Sequence, residues 1–451
     1  MIREATLPVG PDPRDPLGRG DAKSKRQHRA LTRRGFLGGA AGLFGAAGLW
    51  YPQQAFAAGI ERKFLFFYAG GGWDTTAVLD PHFGPDGASA VPGVDMEMDS
   101  VLGQRGQLRF TGGPNRPAVD AYMRKWGPYS AIVNGIDAHS VGHDSGTQFM
   151  MTGTSASSYA DWPTLLAANS TLEFPLPHVI FGGPSFPGTQ GASVVRAGGG
   201  TLLSLLDGSI NGRSDGAAPL IIPPSDDMAD QLVYDRIADF ASQQRGLARE
   251  RADGLLDNLY RGMELEGREF EAGLDDLGNT ILDQAIKASE LFRLGLSRCA
   301  MISIPGGYDT HGNNAPQGPQ QNAFFAAMDE LFDHLSTTPG HTAKWLINEV
   351  VVVALSEFGR TPKLNGGGGK DHWPYNSVFV AGAGVNGNRV LGKTDDGLIA
   401  EPIDLATGQA ATGGTMLGCE HVGLAVLKLG GLDPAQFLPG VDVLEGLIRQ
   451  S

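Results

Sequence analysis

Acidic and imidazole side chains stand just after short apolar runs of this sequence. Asp74 ends Gly70-Gly71-Gly72-Trp73-Asp74, and Asp309 and His311 lie in Tyr308-Asp309-Thr310-His311. Glu357 and Arg360 belong to Ser356-Glu357-Phe358-Gly359-Arg360-Thr361, and Asp371-His372 follows a run of four glycines. Carboxylates gathered on one edge repel one another unless a cation compensates. Mixed Asp, Glu and His donors suit zinc, manganese or another divalent ion. Each residue alone has a plainer role: Asp74 as a helix N-cap, Asp309 as a turn residue, Glu357 and Arg360 as an ion pair. Their joint position favours a metal cluster of Asp74, Asp309, His311, Glu357, Asp371 and His372.

A second dense stretch, Asp137 to Gly153, contains His139, His143, Asp144, Ser145 and Thr147. It follows an apolar run and turns helical, so its first N–H groups could face an anion. Ser145 and Thr147 are candidate hydroxyls, and His143 is a candidate base or ligand. The plainer alternative is that Asp144 or Ser145 caps the helix. His139 reads as a residue supporting the site. His178, His334 and His421 read as core or surface residues, and His82 and His341 carry no motif.

These residues need a scaffold. Phe64–Tyr68, Ser130–Asn134, Val179–Phe181, Ala300–Ile304, Val350–Leu355 and Ser377–Ala381 are short, apolar and followed by glycine-rich or polar loops. Such runs predict strands buried on both faces. Leu255, Leu259, Met263, Phe270, Leu274, Leu277 and Ile281 keep helical spacing, as do Phe324, Phe325, Met328, Leu331, Phe332 and Leu335. Strands alternating with helices predict an α/β domain with a mostly parallel central sheet flanked by helices on both faces. The expected domain runs over 58–451, with a helical insertion at about 235–298, and Asp86–Asn115 reads as a surface loop. In such sheets ligands bind outside the carboxyl ends of the strands, where the candidates lie.

Composition narrows the function. The 451 residues hold 35 Lys+Arg against 49 Asp+Glu, a net charge of −14. That balance argues against nucleic acid, whose phosphates require clustered basic residues. Cys299 and Cys419 are too few for a disulfide scaffold or a cysteine-based zinc site, and leave one disulfide or two unpaired thiols open. No apolar run reaches the roughly 18–20 residues of a bilayer span. Residues 1–57 read as a leader: a polar start, the pair Arg33-Arg34 before Gly35-Phe36-Leu37, a mildly apolar stretch, and Ala55-Phe56-Ala57 as a cleavage site. The expectation is export by the twin-arginine translocase to the periplasm or beyond, already folded, a route suited to a protein that takes up a metal first.

Gly-Gly-Trp-Asp74, Tyr-Asp309-Thr-His311, Ser-Glu357-Phe-Gly-Arg360-Thr361 and Asp371-His372 together resemble the domain-of-unknown-function 1501 family. Those proteins often carry twin-arginine signals and belong to the alkaline phosphatase/sulfatase superfamily. The resemblance spans about residues 60–440. It implies an alkaline-phosphatase-like fold and metal-dependent hydrolysis of phosphate or sulfate esters. It also implies one ion at Asp309, His311 and His372, and a second at Asp74 and Glu357 helped by Asp371. The superfamily's Asp-His-Gly corresponds to Glu357-Phe358-Gly359, so Phe358 stands where a histidine ligand is expected. Thr152-Gly153 resembles the end of the sulfatase nucleophile helix, which puts His143 at the nucleophile position. No Cys or Ser is there for a formylglycine, and Ser145 lies two residues on.

The resulting expectation is a hydrolase of small or polymeric esters with one or two divalent ions, zinc, manganese, calcium or magnesium. His143, Ser145 and Arg360 are its candidate catalytic residues. The alternatives are a hydrolase of another bond, and a non-catalytic member that binds an extracytoplasmic ligand or partner. The metal reading requires Asp74, Asp309, His311, Glu357 and His372 to surround a common point.

Overall fold

The computed structural model describes residues 60–197, 223–246, 248–249, 251–256 and 277–450. The expected leader, and most of the expected helical stripe from Leu259 to Leu274, lie outside the described residues.

Eight strands form one sheet: β1 Lys63–Tyr68, β2 Ser130–Asp137, β3 His178–Ile180, β4 Val194–Arg196, β5 Cys299–Ser303, β6 Val350–Leu355, β7 Tyr375–Gly382 and β8 Arg389–Leu391. Their order is β8-β2-β7-β6-β1-β5-β3-β4. All neighbours run parallel except β7, which is antiparallel to both β2 and β6. The sheet is thus mostly parallel, as its apolar runs predict.

The described helices include α1 Pro117–Trp126, α2 His143–Thr152, α3 Trp162–Ala168, α4 Pro223–Gln243, α5 Ile281–Arg293, α6 Gln317–Thr337 and α7 Cys419–Leu429. Alternation along β1 sorts the core into two layers. Phe64, Phe66 and Tyr68 pack with Met150 and Met151 of α2, Trp162 and Leu166 of α3, and Leu424 and Leu427 of α7. Leu65 and Phe67 pack with Tyr122 of α1, Phe292 of α5, and Phe324, Phe325 and Phe332 of α6. Local signals fix the helix ends. Pro117 opens α1, where its missing N–H costs nothing. Thr280 and Asp283 form a reciprocal cap on α5.

The stretch Asp86–Asn115, expected as a loop, carries an antiparallel hairpin of Val101–Arg105 with Leu108–Gly112. Leu108 and Phe110 are buried beneath it, so a two-residue alternation hidden among glycines suffices for pairing. Cys299 in β5 and Cys419 at the start of α7 are both buried and not bonded to each other. Among the described residues, no helix is long and apolar enough to cross a membrane.

Candidate metal centre

Four chain segments meet at the carboxyl edge of the sheet. β1 runs into Ala69–Asp74, β2 into the loop before α2, β5 into Ile304–His311, and β6 into Ser356–Arg360. The chain then doubles back: Gly359–Arg360 pairs with His372–Trp373, placing His372 opposite Arg360 just before β7. Close approach demands glycine at two points. Gly71 has φ +115, and a Cβ there would come 2.5 Å from the Asp309 nitrogen. A Cβ on Gly369 would run into the His311 carbonyl.

Asp309 is the hub. Its Oδ1 lies 3.1 Å from Nε2 of His311, 3.4 Å from Nε2 of His372 and 3.8 Å from Nε2 of His143. The Nε2 atoms of His311 and His372 are 2.9 Å apart. Each ring is held from behind at Nδ1. His143 faces Glu357 Oε1 at 2.8 Å, His311 faces Asp371 Oδ1 at 2.8 Å, and His372 faces the Val141 carbonyl at 2.6 Å. Carboxylates and carbonyls only accept here, so each Nδ1 carries a hydrogen, and a ring in its neutral form has its lone pair on the inward Nε2. Two lone pairs 2.9 Å apart repel; a shared proton or a cation reconciles them. Imidazoles oriented by carboxylates or carbonyls are the arrangement metal-binding histidines use. The donors of His143, Asp309 and His372 all lie within 4.8 Å of one another. In a tetrahedral zinc site with bonds of about 2.0–2.1 Å, donors sit roughly 3.3 Å apart, so small shifts would admit an ion. The donor set fits such an ion.

The residues that the sequence grouped as ligands thus divide. The donor atoms of Asp309, His311 and His372 lie within 3.4 Å of one another, and His143, 3.8 Å from Asp309, groups with Asp309 and His372. Glu357 does not reach this group: its buried carboxylate accepts the Gly71 N–H at 2.7 Å as well as His143, and it acts through that ring. Asp371 likewise stands behind His311. Phe358, where the resemblance called for a histidine, is a buried platform under the rings of His143 and His372, at centroid distances of 5.0 and 4.2 Å.

A family model described as Protein of unknown function (DUF1501) matches residues 62–403, which include all four inward-facing donors. The chain belongs to this family. No curated protein matches it. Among solved structures, one from Vibrio parahaemolyticus, described as a protein in the alkaline phosphatase superfamily, is similar at TM-score 0.32 and 10% identity, covering 83% of this chain and 67% of that one.

In this DUF1501 chain Asp74 is placed away from the inward-facing donors. It caps the short helical turn Thr75–Ala77 and its side chain is buried. Oδ2 pairs with Lys370 Nζ at 2.8 Å and accepts from Asn314 at 2.7 Å. Oδ1 accepts from the backbone and hydroxyl of Thr76. Burial opposes ionisation of Asp74, but the charge and hydrogen bond of Lys370, with the bonds from Thr76 and Asn314, together hold the carboxyl below its usual range. Lys370 escaped the sequence reading because a lysine after a glycine run reads as solvated. Its signal is the need of a buried Asp74 for a cation. Gln317 ties the same loops together, accepting the Asp74 N–H and donating to the Tyr308 carbonyl.

Arg360 is buried and spends all three nitrogens inside the protein. Nε donates to Gly72 O, Nη1 to Lys370 O, and Nη2 to Gly71 O and to Asp309 at 2.7 Å. Partial burial raises the Asp309 carboxyl, but Arg360, with the neighbouring His372 and His311, keeps Asp309 below the ordinary range. The bond from His311 and a second from Asn365 do the same for Asp371. Ser145 is exposed, with its hydroxyl against Ser140 and the Gly142 carbonyl. Thr147 bonds Tyr68 at 2.6 Å and the His143 carbonyl.

Proposed function

We propose that the chain is an exported metal-dependent hydrolase of phosphate or sulfate esters with a single ion at its centre. His143, Asp309, His311 and His372 hold that ion, and zinc or manganese suits their donor set best. One observation carries the reading: three imidazole Nε2 atoms converge on one carboxylate oxygen while their Nδ1 atoms are all committed to acceptors. Charge supports it. Arg360 bonds Asp309 alone among the carboxylates around the rings, and shares its charge with three backbone carbonyls, whereas Asp74 is already balanced by Lys370, so the need for a further cation is concentrated at Asp309.

A divalent ion there would polarise an ester oxygen and provide a nucleophile from water. The chain's own residues supply the rest. Glu357 and Asp371 fix the ring orientations, Phe358 excludes water beneath two of them, and Arg360 holds Asp309 in place. Export through the twin-arginine route, to the periplasm or beyond, is part of the proposal. Its support is Arg33-Arg34 with the apolar stretch and cleavage site that follow.

A second reading has one observation in its favour. Arg360, the only cationic side chain bonded to the cluster among the described residues, has every nitrogen engaged, so none is ready to clamp an anionic substrate oxygen. A protein that binds an extracytoplasmic ligand through the ion, without turnover, fits that fact. Metal content by plasma mass spectrometry, beside the Asp309→Ala/His311→Ala variant, tests the centre, and a phosphoester and sulfoester panel separates the readings. Stoichiometric metal with chelator-sensitive hydrolysis is expected. Metal without turnover favours the binder, and a metal-free protein whose stability ignores added zinc or manganese overturns both.

A further inference from the structure

A second group of metal-type donors stands apart from the first. β2 ends at Asp137, and His139 follows in the left-handed region with φ +56. Asp137 anchors it from behind: Oδ1 accepts the His139 backbone N–H at 2.8 Å, and Oδ2 lies 3.6 Å from Nδ1. The free side of the ring, Nε2, is 2.8 Å from Oε2 of Glu420. The buried Sγ of Cys419 is 3.6 Å from the same oxygen and 3.2 Å from the Phe149 carbonyl. Donor atoms of His139, Cys419 and Glu420 all lie within 4.8 Å of one another. One nitrogen, one sulfur and one oxygen thus converge from a loop and a helix far apart in sequence.

We infer that His139, Cys419 and Glu420 form a second divalent-metal site, suited to zinc. Zinc takes this mixture of thiolate, imidazole and carboxylate. Its tetrahedral donors stand roughly 3.3–3.7 Å apart. The sulfur-to-oxygen spacing already falls in that range. The shorter nitrogen-to-oxygen spacing is a direct hydrogen bond, which an ion would open by about half an ångström. The His139 side chain keeps 35% of its surface exposed, which leaves a side for a water or an external ligand as the fourth donor. When the ion enters, the thiol proton and the Nε2 proton leave to solvent, and binding strengthens as pH rises.

The site has a structural consequence. His139 and His143 bracket the loop whose Val141 carbonyl accepts the His372 Nδ1–H. An ion bridging His139 to α7 fastens that loop and with it two of the four inward-facing rings of the first centre.

Cobalt(II) tests the inference on the full chain, stripped with chelator and reloaded. Thiolate ligation gives an intense near-ultraviolet sulfur-to-cobalt absorption that the His and Asp donors of the first centre cannot produce. The absorption is expected in the wild type and equally in Asp309→Ala/His311→Ala. It should vanish in Cys419→Ser, with one cobalt fewer per chain, and fall sharply in His139→Ala. The exposed ring of His139 keeps the test open if the buried serine prevents folding. Cobalt-loaded wild type without thiolate absorption overturns the site and leaves the three residues a hydrogen-bonded cluster. Absorption that persists in His139→Ala and Cys419→Ser overturns it as well and points to Cys299. Neither result depends on whether the first centre hydrolyses anything.

Discussion

Asp74 and Asp309 follow neighbouring parallel strands, β1 and β5, and end in opposite circumstances. The Asp74 side chain is 2% exposed and has its own ammonium, Lys370, at 2.8 Å. The Asp309 side chain is 50% exposed and faces three imidazole Nε2 atoms. Arg360 gives Asp309 one hydrogen bond but divides its charge among backbone carbonyls as well. A carboxylate whose charge is cancelled within the fold holds loops together. A carboxylate left among inward-turned imidazoles is poised for an ion. Residue type and strand position do not separate the two cases; the partner does.

The largest expected effect lies on the Asp309 side. Asp309→Ala/His372→Ala removes the hub and one of the close nitrogen pair. Metal content should fall by one ion per chain, and with it any ester hydrolysis the wild type performs. Metal retained at full stoichiometry would erase the distinction between the two aspartates. On the other side, Lys370→Met leaves Asp74 charged and buried without a partner. Breaking a buried pair from one side costs about 3–5 kcal/mol, to be read from urea unfolding. Asp74→Asn/Lys370→Met should recover most of that loss. Lys370→Met should keep the wild-type metal stoichiometry below its unfolding midpoint, and an extra bound ion would turn Asp74 into a ligand in waiting.

Much of this edge is legible in the sequence. The six apolar runs fall on β1, β2, β3, β5, β6 and β7 with ends displaced by a few residues, because doubly buried strands need continuous apolar composition. β4 and β8 went unread: each has three residues at a sheet margin and owes its form to its neighbour. The reversed direction of β7 was equally hidden, since it follows from the tight return through His372 and Trp373 rather than from composition. At the site, His311, His372 and Asp309 were readable as donors from their spacing. Whether a carboxylate faces the ion or the back of a ring was not. Glu357 and Asp371 have the same chemistry as Asp309 and differ only in which atom of which histidine they meet. Lys370 was invisible for a related reason: only the burial of Asp74 explains a lysine inside.

Smaller changes sharpen the comparison. In Glu357→Gln the amide oxygen can still accept from Gly71 and His143, so the fold should hold while the ring loses its anionic partner. Metal affinity should weaken by about 10–100-fold, measured by competition with a zinc chelator. Asp371→Asn removes an exposed carboxylate and should cost less, because solvent screens it.

The smallest effect concerns acid. The Asp74 carboxyl is held below its usual range in the folded chain, against the resistance of burial, by Lys370 first and then by Thr76 and Asn314. A depressed folded value means the unfolded chain binds the proton more readily, so acid favours unfolding. The stabilisation is fully present above the unfolded value of about 3.9 and disappears as pH falls through the folded value below it. Melting temperatures of the wild type should therefore hold steady down to about pH 4 as far as this pair is concerned, then decline. Asp74→Asn/Lys370→Met should show a shallower decline over the same acid range while matching the wild type in slope above it. Parallel curves throughout would mean that Lys370 does not carry the Asp74 charge, and the contrast between the two aspartates would rest on exposure alone.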